Sequence, residues 1–301
     1  MKPNVAGSMK PKLSIVTPSF NQAQYLEQTI LSVLQQNYEN LEYIIIDGGS
    51  SDESVEVIKK YADHIHYWVS EKDRGQVHAL NKGIEQATGE FFAFINSDDV
   101  FLPGAFNAVI DYLEDHPDCE WLCGDTIMFG DGFPTEVINA RVPRSAAQAL
   151  SWSYKAPQPG MFWKKKLIEA GFDEKWPYDF DHDMYVRLLL AGHRCEHLPV
   201  TLAAYRLHTV SKTVAEGDRQ IAEFERSAEV YENLLEGGDR RWCRATRYLR
   251  RSYAASSVGN RREGARWLLR ALATHPEGLA ARPFWGTFRR LAKADSNSLP
   301  E

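Results

Sequence analysis

The segment that most constrains the fold is Glu42-Tyr43-Ile44-Ile45-Ile46-Asp47, a run of β-branched and aromatic residues with almost no polar alternation. Such a run suits a parallel strand covered on both faces, so it needs strand neighbours and helices above and below it. The flanking sequence supplies both. Lys12 to Thr17 is a short apolar run closed by Pro18, and Tyr25, Leu26, Ile30, Val33 and Leu34 follow at helical spacing. Gly48 and Gly49 end the central run, and Ser50 with Glu53 predicts a capping box opening a helix that carries Val55, Ile58 and Tyr61. Ile65 to Ser70 reads as a third strand, Val77 to Ala87 as a helix with Leu80 and Ile84 on one face, and Phe91 to Ile95 as a fourth strand. Pro103 then opens a helix with Phe106, Val109, Ile110 and Leu113 inward. Strands alternating with helices predict an α/β fold with a mostly parallel, helix-flanked sheet and right-handed crossovers.

At 301 residues, with 44% hydrophobic and 25% charged residues, the chain has the composition of a folded protein, which excludes disorder and fibres. The four cysteines form no CxxC pair, which argues against a disulfide framework or zinc knuckle and for a reducing cytoplasm. No run approaches the roughly 20 apolar residues that cross a bilayer. The opening MKPNVAGSM lacks the apolar core of a secretory signal, so residues 1–9 read as a loose tail or an expression remnant. The net charge of −6 hides an asymmetry, because Lys and Arg far outnumber Asp and Glu from Arg240 onward. The expected division is a catalytic domain over 10–215 and a basic helical region over 216–301.

Ligands of open α/β sheets bind at the carboxyl ends of the strands. Here those ends are 17–21, 47–51, 70–76 and 96–99, and they carry Asp47, Asp52, Glu71, Asp73, Asp98 and Asp99 with few cations beyond Lys72, Arg74 and Lys82. Neither GxGxxG nor GxxxxGK[ST] follows the first strand, which argues against dinucleotide and P-loop enzymes. A carboxylate-rich mouth can instead hold a hard divalent cation that in turn holds phosphate oxygens, so a metal-chelated nucleoside diphosphate is the expected ligand. The plainer reading of Asn96-Ser97-Asp98-Asp99 is an acidic loop that caps the next helix.

Taken in order, a set of segments resembles family 2 glycosyltransferases of the GT-A fold. They are Ser14 to Asn21, Asp47 to Asp52, Asp73-Arg74-Gly75-Gln76 with Ala79 to Gly83, Thr88-Gly89-Glu90 and Asn96 to Asp99. Gly171 to Glu174, Asp181-His182-Asp183 and Tyr205 to His208 complete it, so the resemblance spans about residues 12–212. It implies a GT-A sheet with a C-terminal helical appendage. It also implies that Thr17, Pro18 and Asp47 contact the nucleoside, with Asp47 on the uracil edge, and that Arg74, Asn81 and Lys82 lie beside the donor. Asn96, Ser97 and Asp98 occupy the DxD positions, with Asp98 the ligand of Mn²⁺ or Mg²⁺. Asn96 departs from the family's Asp and brings no charge, though its amide can still accept a hydrogen bond from a ribose hydroxyl. Asp181 matches the acceptor base, and Phe180 stands where many members have Glu. His208 matches a histidine that joins the metal or the diphosphate in some members.

Other assignments rest on the residues themselves. Met184, Leu188 and Leu189 predict a helix whose first turn carries Asp179, Asp181 and Asp183, carboxylates that could simply complement the helix dipole. Asp179 and Asp183 could raise the pKa of Asp181 and make it a better base. Arg206 would share a strand face with His208 and attend the leaving diphosphate. Asp99, Gln158 and Trp163 form a candidate acceptor wall, with core packing the plainer reading of the aromatic pair Phe162-Trp163. One base opposite the leaving group gives inversion, and the resemblance implies a hexosyl transfer from a UDP-sugar to a glycan or lipid-linked acceptor hydroxyl. The rival readings are a sugar nucleotidyltransferase and a binding protein without turnover.

From about Asp218 the spacing is helical throughout. Trp242, Arg244, Arg247, Arg250, Arg251, Arg266, Trp267, Arg270, Trp285, Arg289 and Arg290 predict a basic amphipathic surface. It could lie on the inner face of an anionic membrane, dock on the acidic domain or pair with another subunit. No nucleic-acid motif is visible.

Overall fold

The computed structural model describes residues 10–151 and 154–276. The chain opens with β1 (Leu13–Ser19), α1 (Ala23–Leu34), β2 (Leu41–Asp47), α2 (Ser54–Lys60), β3 (Tyr67–Ser70), α3 (Gln76–Gln86) and β4 (Phe91–Phe94). It continues through β5 (Val100–Phe101), α4 (Ala105–Asp115), β6 (Trp121–Gly130), β7 (Phe133–Ile138), α5 (Ala146–Leu150), β8 (Met161–Lys164), α6 (Phe180–Leu190) and β9 (Glu196–Arg206). Among the described residues four helices follow: α7 (Lys212–Ala215), α8 (Gly217–Glu232), α9 (Gly237–Ser257) and α10 (Arg261–Thr274).

The sheet runs β3-β2-β1-β4-β8-β6-β9-β5, with β7 beside β6. Its first half is wholly parallel. Its second half is mixed: β8 is antiparallel to β4 and β6, β5 to β9 and β7 to β6, while β6 and β9 are parallel. The sheet is therefore less uniformly parallel than the βαβα rhythm predicts.

The unalternating run behaves as its chemistry requires. Tyr43 and Ile45 join one core with Ile15, Leu26, Ile30, Phe106 and Val109. Ile44 and Ile46 join the opposite core with Val16, Val77, Leu80, Ile84 and Met184. Successive strand residues point to opposite faces, so a strand under two helical layers must be apolar at every position. Each fully buried side chain of this size stabilises the fold by about 1.5–3 kcal/mol. Helix α3 lies so close to β1 that a Cβ on Gly83 would sit 2.4 Å from Val16 Cγ1.

Local expectations are corrected at several points. No capping box forms at Ser50 and Glu53: Ser50 Oγ donates to Asp47 Oδ1, and Asp52 Oδ1 accepts the Ser54 amide instead. The third strand begins at Tyr67, because Ala62–His64 makes a 3-10 turn that ends at Ile65. Helix α4 begins at Ala105, since Gly104 takes a left-handed φ of 81° just before it. Trp163 is fully buried in the second core, stacked on Phe94 at 6.3 Å, so it offers no face to an acceptor sugar.

A buried carboxylate ties the amino ends of the strands together. Glu42 accepts Ser14 Oγ at 2.5 Å, the Thr88 amide at 2.6 Å and Thr88 Oγ1 at 2.7 Å, and pairs with Lys12. Burial alone would push its pKa up, but these donors outweigh burial and hold it down at about 2. Glu42→Gln should therefore cost about 3 kcal/mol in urea unfolding at neutral pH, since it unbalances a buried ion pair. A depressed carboxylate stabilises the fold above its unfolded value and loses that contribution in acid. The gap between the two proteins should close as pH falls from 4.5 toward 2.

The described residues form two compact units, 10–144 with 154–223 and 145–151 with 224–276. The first holds the sheet. In the second, α9 and α10 pack as a helical hairpin around the Gly259 turn, and Ser252 Oγ donates to the Gly264 carbonyl. Four of the arginines expected on a basic face are instead held in ion pairs, while Arg266 and Arg270 are exposed on α10. Arg244 pairs with Glu232, Arg247 with Glu229 and Glu232, and Arg250 and Arg251 with Glu225, all on α8. Arg247 is only 5% exposed, and Trp267 is flanked by Arg251 and Arg270. Trp285, Arg289 and Arg290 lie outside the described residues, as do residues 1–9. Among the described residues no helix is long and apolar enough to cross a membrane.

Candidate active site

The parallel register aligns the carboxyl ends of the first strands: Ser19 is level with Asp47, and Asp47 with Ser70. Beyond them opens a cavity of about 880 Å³, lined among others by Pro18, Gly48, Arg74, Gln76, Asn96 to Asp99, Gln158, Tyr178, Asp181, Arg206 and Lys212. All of these belong to the first unit.

The floor is shaped by side chains that serve the loops. Asp47 is fully buried, and its carboxylate accepts the Gly49 and Ser50 amides and the hydroxyls of Ser50 and Ser70. It does not line the cavity, and these bonds shape the loop around Gly48. A Cβ on Gly48 would sit 2.7 Å from Asp73 Oδ2, so a larger residue there would have to displace the Asp73 carboxylate. Thr17 is likewise buried against the Tyr43 hydroxyl at 3.1 Å, leaving Pro18 as the residue of that pair that lines the cavity. The start of α1 offers no free cradle for phosphate. The amides of Asn21, Gln22 and Ala23 donate to Ser50, Ser54 and Asp52.

Two further donor candidates turn out to be structural clasps. Asn81 holds both the amide and the carbonyl of Phe172, at 2.8 and 2.9 Å, and Lys82 pairs with Glu71; neither lines the cavity. Arg74 does line it, gripped in bidentate fashion by Glu174 at 2.7 and 2.9 Å. Asn81 and Arg74 thus pin the 171–174 segment to the start of α3.

The turn after β4 gathers the metal candidates. Asp98 Oδ2 lies 3.0 Å from His208 Nε2, and the His208 ring packs on Tyr25. Two ligands held about 2.1 Å from an octahedral cation at right angles lie roughly 3 Å apart, so this pair has the spacing of neighbouring ligands. Among the described residues no cluster of three or more His, Cys, Asp or Glu could hold a metal ion. A cation here would need oxygens from a diphosphate or water, as Mg²⁺-type ions in phosphate sites usually have. Ser19 Oγ and Gln22 Oε1, both on cavity-lining residues, are buried with no hydrogen-bond partner among the described residues, which fits a wall completed by a polar ligand.

Asp99 points elsewhere. It is buried, its Oδ1 accepts the Arg206 amide at 2.8 Å, and its pKa is pushed well up by burial and then by the charge of Asp98. It braces β9 and is not free for an acceptor. Arg206 donates to the Asp98 carbonyl and to Gln28, with its guanidinium between the Tyr25 and Phe129 rings. It is a fixed cation in the wall. Gln158 donates to the Phe94 carbonyl, while Asn96 accepts from Gln76 and faces Gln158.

Across the cavity, Asp181 lies in the first turn of α6. Its Oδ1 accepts the His182 amide at 2.8 Å. Its pKa is raised by burial first and then by the charge of Asp179, partly offset by that amide. Asp183 does not contribute as expected, since its carboxylate turns to Arg187 at 2.8 Å.

Lys212 is a lining cation absent from the sequence-based candidates. Its Nζ donates to the Pro177 carbonyl at 2.6 Å and to Gln76 Oε1 at 3.1 Å, and lies over the Tyr178 ring. Its signal was weak: one lysine, four residues beyond His208, in a four-residue helix.

Residues 14–178 match the family described as Glycosyl transferase family 2. TuaG of Bacillus subtilis (strain 168), a glycosyltransferase whose name assigns it to teichuronic acid biosynthesis, is 32% identical over 42% of this chain and 52% of its own length. A GalNAc(5)-diNAcBac-PP-undecaprenol beta-1,3-glucosyltransferase of Campylobacter jejuni is 36% identical over 33% of this chain and 34% of its own. The chain thus matches about half or less of these two relatives. Among solved structures, S. aureus TarS 1-349 in complex with UDP-GlcNAc superposes with a TM-score of 0.65 at 16% identity, covering 94% of this chain and 91% of that one. The fold is thus that of the GT-A glycosyltransferases, and with more than half of its length matched the chain belongs to glycosyl transferase family 2.

Proposed function

We propose that the chain is an inverting, divalent-metal-dependent glycosyltransferase that moves a sugar from a UDP-sugar to a hydroxyl of a glycan or lipid-linked saccharide. The observation that carries this reading is that Asp98, paired with His208, and Asp181 line one cavity. The bound UDP-GlcNAc of TarS and the lipid-linked substrate in the Campylobacter relative's name support the donor and acceptor classes.

In this reading Asp98 and His208 hold Mn²⁺ or Mg²⁺, which when bound supplies positive charge to the leaving diphosphate. Lys212 and Arg206 add fixed cations to the same wall. Asp181 accepts the proton of the acceptor hydroxyl, whose oxygen forms the new bond to the anomeric carbon as the bond to the diphosphate oxygen breaks. With one carboxylate as proton acceptor and no nucleophile on the protein required, attack comes from the face opposite the leaving group and inverts the centre.

The test is release of UDP from a panel of UDP-sugars by the full chain with Mn²⁺. Release from at least one sugar, abolished by EDTA and restored by Mn²⁺, is expected. Tight metal-dependent UDP binding without release from any donor or acceptor would identify a binding protein instead.

A further inference from the structure

We propose that Glu223 is the positioning residue for the acceptor base, acting through the entry of α6; this role rests on the transferase reading above. Glu223 lies on α8, beyond the matched family region, and is only 7% exposed. Its Oε2 accepts two consecutive backbone amides, Tyr178 at 2.6 Å and Asp179 at 3.0 Å. These are the last amides before α6, and Asp181 follows two residues later.

The arrangement is unusual for a helix start. Asp179 occupies the N-cap position but makes no side-chain cap bond, and its Oδ2 faces His182 Nδ1 at 3.2 Å. A carboxylate from another helix accepts the amide of the N-cap residue, the bond that the third helical residue supplies in a capping box, and the amide before it as well. An anion at that place is favoured by the helix dipole, and its bonds to N–H groups are charge-assisted. Because the clamped amides and Asp181 belong to one continuous turn, their position fixes where the carboxylate of Asp181 points into the cavity.

Neighbouring contacts hold the same segment from the same side. The Tyr178 hydroxyl donates to Glu216 Oε2 at 2.5 Å, Arg219 donates to both, and Lys212 holds the Pro177 carbonyl. Lys212, Glu216 and Glu223 thus form a strap over residues 177–179. Glu223 is its inner end, the member that bonds the backbone next to the helix.

The test compares Glu223→Ala and Glu223→Gln in the full chain. The alanine variant takes the acceptor from the Tyr178 amide and leaves the Asp179 amide with its 3.3 Å bond to the Trp176 carbonyl, and small misplacements of a reacting group cost up to about 100-fold in rate. We expect kcat for UDP release from UDP-GlcNAc, or from the panel sugar the wild type uses best, to fall about 10- to 100-fold. KM for that donor and Kd for UDP with Mn²⁺ should stay within about twofold, because the donor wall is untouched. Glu223→Gln keeps an acceptor oxygen and should recover most of kcat. Hydrogen exchange supplies a readout without substrate: the peptide spanning 177–182 should lose protection in Glu223→Ala and keep it in Glu223→Gln, with β1 to β4 unchanged. Normal kcat in the alanine variant, a parallel loss of UDP affinity, or unchanged exchange over 177–182 would each overturn the role. A wild-type chain that releases UDP from no sugar would refute the activity and this role with it. An active wild type beside an unaffected alanine variant would refute the role alone.

Discussion

Asp181→Asn should slow sugar transfer by about 10²- to 10⁴-fold, the usual contribution of a positioned general base, while leaving UDP affinity unchanged. The amide has the shape of the carboxylate and can still accept the His182 amide, so the α6 turn should keep its form. What it lacks is an oxygen that can take a proton. The same substitution should raise stability at neutral pH. Burial and the Asp179 charge make the ionised form of Asp181 costly in the folded state, which is what its raised pKa records. A carboxyl with a raised folded pKa stabilises the fold fully below its unfolded value and loses that contribution as pH climbs through the folded one. The two proteins should therefore unfold alike below pH 3.8, and the asparagine variant should become the more stable as pH rises beyond it. Activity of the wild type should fall off in acid at a higher pH than an unperturbed aspartate would give. Single-turnover rates, UDP titrations and thermal unfolding across pH separate these effects. Equal losses of turnover and UDP affinity would remove Asp181 from the role of base.

The two turns that carry the proposed base and the proposed metal ligand were legible as places in the fold, because both lie where the sequence pattern itself marks an edge of the sheet or a helix start. Asp98 lies four residues beyond β4, and Asp181 falls in the first turn of a helix announced by Met184 and Leu188. The first three strands were legible for a related reason: β1, β2 and β3 pair in sequence order through local βαβ crossovers, while β4 returns to the far side of β1. That locality ends after α4. Strand β8 is four residues long and pairs with β4 and β6, and β9 pairs with β5 and β6, across separations that no local periodicity reports. Trp163 shows the cost, since an aromatic beside Gln158 reads equally as sugar platform or core until its stacking on Phe94 is known. Asp47 and Asn81 show another limit. Their residue types suit ligand contact, yet each satisfies backbone groups of its own scaffold. Lys212 and Glu223 escaped notice for the opposite reason. Neither belongs to a motif, and each gains its place only when the segment after β9 folds back over residues 177–179.

Asp98→Ala should show the reverse priority from Asp181→Asn. A divalent cation that bridges a carboxylate and a diphosphate contributes several kcal/mol, so losing its one carboxylate ligand should weaken Mn²⁺-dependent UDP binding by about 100-fold or more. Turnover at saturating donor should suffer less than affinity, because Asp181 keeps its place in α6. The fold should tolerate the change. The turn is held by the Asp99 amide on the Asn96 carbonyl, by Asp99 on the Arg206 amide and by Arg206 on the Asp98 carbonyl, none of which uses the Asp98 side chain. His208 would lose its partner at 3.0 Å but keep its packing on Tyr25. Calorimetric titration of UDP with Mn²⁺ and with EDTA makes the comparison specific. The metal-free affinities of wild type and variant should coincide, and only the gain from Mn²⁺ should disappear. A variant that retains the full gain would show that the cation sits elsewhere, and the pairing of Asp98 with His208 would then be a hydrogen bond and nothing more.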